Sequence, residues 1–175
     1  MNPRPLGAPT RLTAEHETSG FRGGDDVLDS WLRHHALSQY DEGVTTFVVT
    51  KDSRVVGYYC LTRGAVEHTR AATRGWRARR GPVAPPVPAL VIGRLTVDET
   101  VQGRGVGASL LRDAIMRSAT VYRTAGLPLL LAHTATPAAR TFFAHFGFAP
   151  TRFDPHVVAL ALRHATAGPR TTFRD

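Results

Sequence analysis

The stretch from Ala89 to Ala108 constrains this chain more than any other. Its first half, Ala-Leu-Val-Ile-Gly-Arg-Leu-Thr-Val-Asp, is β-branched and aliphatic and reads as a buried strand. Its second half, Val101-Gln102-Gly103-Arg104-Gly105-Val106-Gly107-Ala108, runs into the helical spacing of Leu110, Leu111, Ala114 and Ile115. A strand feeding a glycine turn at a helix N-terminus presents free main-chain N–H groups at the positive end of the helix dipole. Such a turn suits a pyrophosphate, and glycine lets the phosphates approach the amides. No Gly-Lys-Ser/Thr follows, which excludes a Walker loop. A dinucleotide-binding βαβ unit would place its glycines after the first strand, with an acidic residue about 20 positions on. Here the turn lies past the middle of the chain, and position 122 onward reads Tyr-Arg-Thr.

The 175 residues suffice for one domain with a core of its own. Cys60 is the single cysteine, so no internal disulfide forms and a reducing cytoplasm is the expected home. No apolar run approaches membrane-spanning length, and a secretory signal pattern is not seen. The net charge is +8, and Lys51 is the only lysine, so the excess is carried by arginine. That balance points to a polyanionic partner, with arginine-rich codon usage as the bland alternative. The distribution of the charge decides between them. Arg63, Arg70, Arg74, Arg77, Arg79 and Arg80 cluster around Trp76 and face one acid, Glu67; Pro82, Pro85, Pro86 and Pro88 then stiffen the return. Arginines interleaved with an aromatic suit phosphates and stacked bases, and a loop spanning 64–88 inside a compact domain is usually functional.

The remaining elements follow from periodicity and punctuation. After a lead-in, a short strand is expected near Arg11–Ala14. Asp25 or Asp26 caps a helix whose apolar face carries Leu28, Trp31, Leu32, His35 and Ala36. Val44–Thr50 and Arg54–Arg63 form a hairpin across Lys51-Asp52-Ser53, with Tyr58 and Tyr59 as core or groove residues rather than catalysts. The helix after the glycine turn runs from about Gly105 to Thr124 and stops at Gly126. A buried strand spans Leu127–Ala132. Thr136 and Pro137 start a further helix that Gly147 ends, His156–Arg163 is a final strand, and Ala165–Asp175 is a frayed tail. His34 and His35 have no acidic or cysteine partner at ligand spacing, so no metal is expected.

Gln102-x-x-Gly105-x-Gly107 resembles the Gln/Arg-x-x-Gly-x-Gly/Ala signature of the GNAT N-acetyltransferases, and Ala139-Arg140-Thr141-Phe142-Phe143 through Gly147-Phe148 resembles their Ala-Arg-x-Phe-Tyr-x-x-x-Gly-Phe helix. The early Phe21…Gly24…Leu28-Asp29-Ser30-Trp31-Leu32 segment, Val56-Gly57-Tyr58-Tyr59, the arginine-rich insertion and the Pro88-led strand narrow the likeness to TacT-type toxins of bacterial toxin–antitoxin pairs. The likeness covers about Phe21 to Arg163. It implies an α/β GNAT fold: a mixed central β-sheet, splayed at the acyl-CoA site, with flanking helices. It implies acetyl-CoA as co-substrate, held by Leu95, Thr96, Val97, Gln102, Gly103, Arg104, Gly105, Val106, Gly107 and Ala108, and no metal. It also implies aminoacyl-tRNA as acceptor, acetylated on its α-amino group so that translation stops. Arg94 and the loop arginines would contact the tRNA. The expected protein partner is a ribbon-helix-helix antitoxin that binds operator DNA, with homodimerisation left open. Composition and spacing by themselves reach only a basic acyl-CoA-binding domain.

One position departs from the pattern. Phe143 stands where the family's tyrosine protonates the departing thiolate, and a phenylalanine ring packs without donating a proton. Three readings follow: an inactivated Tyr-to-Phe form of a toxin; a natural enzyme using another acid, with His133, His145 or Tyr122 as candidates; or a CoA-binding module without catalysis. A GNAT acting on a protein N-terminus or a small amine is the alternative activity. A small cationic substrate would favour an acidic pocket, and the insertion is basic instead.

Overall fold

The computed structural model describes residues 6–66, 86–152 and 154–165. In chain order the strands are β1 (Thr10–Arg11), β2 (Thr45–Lys51), β3 (Arg54–Val66), β4 (Val87–Val97), β5 (Leu129–His133), β6 (Ala149–Pro150) and β7 (Val157–Ala161). The α-helices are α1 (Asp26–His34), α2 (Val106–Ala125), α3 (Pro137–Ala144) and α4 (Leu162–Ala165). The sheet order is β1-β2-β3-β4-β5-β7-β6. β4 and β5 are sheet neighbours joined through the 20-residue helix α2, the kind of crossover that parallel strands need. The residues cluster into two compact units, Met1–Thr62 with Ile92–Ala114, and Arg63–Val91 with Ile115–Asp175.

The first unit is built around β3. Asp52 and Ser53 both take positive φ (49° and 68°), which closes a two-residue hairpin between Lys51 and Arg54 with the twist the strands require. Successive β3 side chains then alternate between faces. Tyr58 points to α1: its ring stacks on Trp31 at 5.9 Å and meets Phe21 edge-on at 5.5 Å, and its hydroxyl donates to the Leu28 carbonyl at 2.9 Å. Burial raises the pKa of that phenol, so it stays neutral. Gly57 and Tyr59 point the other way, to α2. A Cβ on Gly57 would stand 3.0 Å from Leu110 Cδ1 and 3.2 Å from Val106 Cγ1, so its absence lets the start of α2 lie close on the strand. The Tyr59 hydroxyl donates to Asp113 Oδ2 on the same helix at 2.5 Å. Both tyrosines are core residues, as expected.

The second unit packs Val66, Val87, Ala89, Leu129 and Leu131 into one apolar cluster. That cluster corrects the expected limits of the insertion. β3 continues through Ala65 and Val66, and β4 begins at Val87, because both valines are buried; Pro88 is exposed, and its missing N–H falls at the very start of the strand. β5 pairs antiparallel with β7, and β7 with the two-residue β6, which the sequence did not announce. The last strand is shorter than expected: it stops at Ala161, and fully buried Leu162 opens the short helix α4 with its N–H on the Pro128 carbonyl at 2.9 Å. β1 covers Thr10–Arg11 rather than Arg11–Ala14, and β5 starts at Leu129. α1 closes at His34, which leaves His35 exposed beyond the helix instead of on its apolar face. Asp25 is the α1 cap, accepting from the Val27 and Leu28 amides. Thr136 caps α3, accepting from Ala139 at 3.1 Å with Pro137 in the first turn; the helix ends at Ala144, before Gly147.

Candidate functional site

The glycine turn takes the form its sequence dictates. Gly103 and Gly105 adopt φ of +73° and +80°, a region that side chains with a Cβ enter at a cost. A Cβ at either position would meet nothing within 4 Å. Glycine is therefore demanded by conformation, and the space beside it is open. The Ser109 amide donates to the Gly105 carbonyl at 3.0 Å, the first intrahelical bond of α2. The amides of Val106, Gly107 and Ala108 consequently lie in the first turn, where an α-helix offers no acceptor. Three N–H groups at a dipole's positive end, with an open approach and the exposed Arg104 beside them, make an anion cradle.

Gln102 does something different from its neighbours. Its carboxamide Nε2 donates to the Val97 carbonyl at 2.9 Å and to the Gly23 carbonyl at 3.2 Å. The side chain is thus bonded to protein main chain, tying the turn to the end of β4 and to the loop ahead of α1. That loop, Phe21–Gly24, is a second element of the site that sequence reasoning did not assign. The Arg22 amide donates to Asp98 Oδ2 at 3.1 Å, and Glu99 N donates to the Arg22 carbonyl at 2.8 Å. The Gly23 amide donates to buried Asp29 Oδ1 at 2.8 Å. A Cβ on Gly23 would fall 2.5 Å from Thr96 Oγ1, so the loop is pressed against β4 at the residues expected to hold a thioester. Leu95, Thr96 and Val97 are all half-buried there.

Asp98 is the anchor of this arrangement. Its side chain is 1% exposed and accepts from the Arg22 amide, the Thr100 amide, the Thr100 hydroxyl and Arg54 Nη2, the last at 2.9 Å. Burial alone would raise its pKa, but the hydrogen bonds from Thr100 and Arg22 and the Arg54 guanidinium outweigh it, and the carboxyl titrates below the usual carboxylate range. A depressed folded-state pKa contributes stability that is present above the unfolded value near 4 and is lost as pH falls through the folded value. Asp98→Asn is therefore expected to lower stability by about 2 kcal/mol at pH 7, the scale of a lost hydrogen bond to a charged group. The deficit should shrink as pH falls below the ordinary carboxylate value near 4 and through the lowered folded-state value, where the natural carboxyl becomes protonated. Urea melts of both forms at a series of pH values from 7 downward check this, and a deficit that never narrows on acidification would refute it.

The other expected site residues are placed as follows. Arg94 is half-buried with its guanidinium carbon 4.1 Å from the centroid of the Trp31 ring, a cation–π contact, so part of its surface is already engaged. Arg63 is exposed on β3. Arg70, Arg74, Arg77, Arg79 and Arg80 lie outside the described residues, as does the tail beyond Ala165. In the second unit Phe143 is buried on α3, its ring edge-on to Phe148 at 5.1 Å and to Phe142 at 5.5 Å. Of the alternative acids, His133 is exposed at the end of β5 and stacks on His156 at 5.9 Å, His145 is exposed just past α3, and Tyr122 is half-buried on α2. No group of three or more metal-ligating side chains occurs among the described residues. Among them too, no helix is long and apolar enough to cross a membrane.

Comparison with known proteins gives a consistent result. Residues 42–150 match the acetyltransferase (GNAT) domain family. A tRNA-acetylating toxin of Mycobacterium tuberculosis is 38% identical over 161 residues, which cover 91% of this chain and 95% of that protein. A structure of AtaT complexed with acetyl-methionyl-tRNAfMet superposes with a TM-score of 0.84 at 21% identity, covering 93% of this chain and 98% of its own. A mutant AtaT toxin bound to the C-terminus of the antitoxin AtaR and acetyl-CoA gives 0.76 at 22% identity, covering 93% and 97%. At such identities the two structural likenesses speak for the fold.

Proposed function

This chain belongs to the GNAT acetyltransferase family, and on that premise we propose that it is a toxin that transfers acetyl from acetyl-CoA to the α-amino group of aminoacyl-tRNA. The observation that carries the reading is the 38% identity with the mycobacterial tRNA-acetylating toxin over 91% of this chain, since substrate-specific features of a GNAT lie in segments outside its cofactor turn. In this reading the amides of Val106, Gly107 and Ala108, with Gly103, Arg104 and Gly105, hold the pyrophosphate. The main chain of Leu95, Thr96 and Val97 holds the pantetheine and thioester.

The chemistry asks little of the protein. An α-amine has a pKa near 8, against about 10.4 for a lysine side chain, so a useful fraction is neutral at cellular pH. The amine nitrogen attacks the thioester carbonyl, the C–S bond breaks, the nitrogen loses a proton, and the thiolate leaves as a thiol once protonated. Positioning the two reactants supplies most of the acceleration, and a general acid at the sulfur supplies the rest. Phe143 fills the acid's position with a ring that cannot donate, so the chain with this residue binds both substrates and transfers slowly. A ribbon-helix-helix antitoxin that also binds operator DNA is the neutralising partner, and the cytoplasm, where charged tRNA is found, is the place of action.

The arginine cluster gives a direct test of the substrate. If Arg77, Arg79 and Arg80 contact phosphates, affinity for charged tRNA should fall linearly with salt on a logarithmic plot, each contact contributing roughly 0.7–0.9 to the slope. Replacing all three by glutamine should flatten the slope by about 2 and leave acetyl-CoA affinity unchanged. An identical slope in the triple variant would assign the charge to composition rather than to substrate binding. Preference for a protein N-terminal peptide over charged tRNA in the same assay would replace the proposed acceptor.

A further inference from the structure

We propose that Gln102 is a positioning residue that couples occupancy of the glycine turn to the Phe21–Gly24 loop, so that acetyl-CoA bound on the turn orders the loop beside which the acceptor amine arrives. The inference rests on the reading that the turn binds acetyl-CoA. Its basis is a run of main-chain partners along Phe21, Arg22 and Gly23. The Phe21 carbonyl accepts from Arg33 Nη1 at 3.1 Å, and the Arg22 amide reaches Asp98. The Arg22 carbonyl accepts from Glu99, the Gly23 amide reaches Asp29, and the Gly23 carbonyl accepts from Gln102.

These partners divide into two groups. Arg33 and Asp29 belong to α1, whereas Asp98, Glu99 and Gln102 belong to the segment joining β4 to the turn. Within the second group only Gln102 reaches the loop with a side chain that is part of the glycine signature. A carboxamide nitrogen has two hydrogens, and both are directed at carbonyls, Val97 on one side and Gly23 on the other. It therefore has no donor left for a phosphate, and its place in the signature is explained by what it joins. The loop lies on the α1 side of the strand, with Gly23 against Thr96, while Gly57 on the neighbouring strand faces α2, the helix that bears the cradle. A thioester held along Leu95–Val97 would thus take its amine beside Gly23. Fixing the turn with a ligand fixes Gln102, and through it the Gly23 carbonyl. Coupling of this kind between two ligands is reciprocal and typically amounts to about 5–150-fold in affinity.

The test uses hydrogen exchange and binding, so it does not depend on turnover. In the natural chain acetyl-CoA should slow exchange of the Arg22 and Gly23 amides by about tenfold or more, and charged tRNA should bind at least about fivefold more tightly when CoA occupies the turn. In Gln102→Ala and in Gln102→Met, which keeps the length but has neither donor nor charge, acetyl-CoA should still bind, its affinity lowered by less than about 100-fold, while both effects disappear. Gln102→Arg, which restores N–H donors at similar reach, should recover them. Equal slowing of the loop in the natural and alanine forms, or no slowing in either, would overturn the coupling and leave acetyl-CoA binding intact. A loss of acetyl-CoA affinity beyond about 100-fold in Gln102→Ala would make Gln102 a ligand contact instead. Failure of the natural chain to bind acetyl-CoA would overturn the cofactor assignment, and the coupling with it.

Discussion

Phe143→Tyr is expected to raise the rate of aminoacyl-tRNA acetylation by about 10²–10⁴-fold, the usual worth of a positioned general acid. The change adds one oxygen to a ring that is already buried and already held edge-on by Phe148 and Phe142. Packing should therefore be retained, and in the proposed reading the gain comes from proton transfer to the leaving sulfur. Acetyl-CoA affinity should stay within about threefold, because the proposed cofactor site is made of the main chain of the first unit. Incubation of both forms with labelled acetyl-CoA and a mixed pool of charged tRNAs measures the effect, and growth arrest on expression without an antitoxin provides the cellular counterpart. Equal and substantial activity in the two forms would move the acid's task to another group, with His133, His145 and Tyr122 next in line. Tight acetyl-CoA binding with no transfer in either form would make the chain a binding module.

The second large effect is a loss. Gly105→Glu should weaken acetyl-CoA binding by more than 100-fold in calorimetry while the protein remains folded. Two costs combine. A residue with a Cβ at φ near +80° is strained by about 1–2 kcal/mol, and a carboxylate would stand at the mouth of a cradle that attracts anions. Gly105→Ala separates them: it carries the conformational cost alone and should lose about tenfold. The space beside the Cα is open, so neither variant creates a clash that would unfold the chain. Unchanged affinity in the glutamate variant would remove the turn from the cofactor site.

The turn was legible because its information is local. Strand, glycines and helix occupy consecutive residues, and the positive φ of Gly105 and the helix start at Val106 follow from sequence neighbours. The clasp around Asp98 was not, since its bonds join residues 76 and 79 positions apart: Arg22 to Asp98, and Gly23 to Gln102. Two hints were present in the Gly23-Gly24 pair and in an aspartate ending an apolar strand. Neither names a partner without the tertiary structure. The ends of the arginine-rich segment were misjudged because its charged and proline-rich composition masked Val66 and Val87, whose strand character comes from burial against Leu129 and Leu131. Arg94 was read as a tRNA contact, and its guanidinium also lies over the Trp31 ring. Charge is visible in a sequence; what a charge already touches is not.

Cys60 lends the chain a property that has no part in catalysis. Its thiol is buried in the middle of β3, opposite Thr46, with the bare Cα of Gly93 close to the sulfur. Burial raises its pKa, and the nearby Arg94 offsets this only in part. Nucleophilic attack requires the thiolate, so in the closed strand pair the sulfur is both unreachable and in its unreactive form. It becomes available only when β3 separates from its neighbours. The sole thiol of the molecule is thereby an internal clock: the pace at which it is alkylated reports how often the heart of the first unit comes apart.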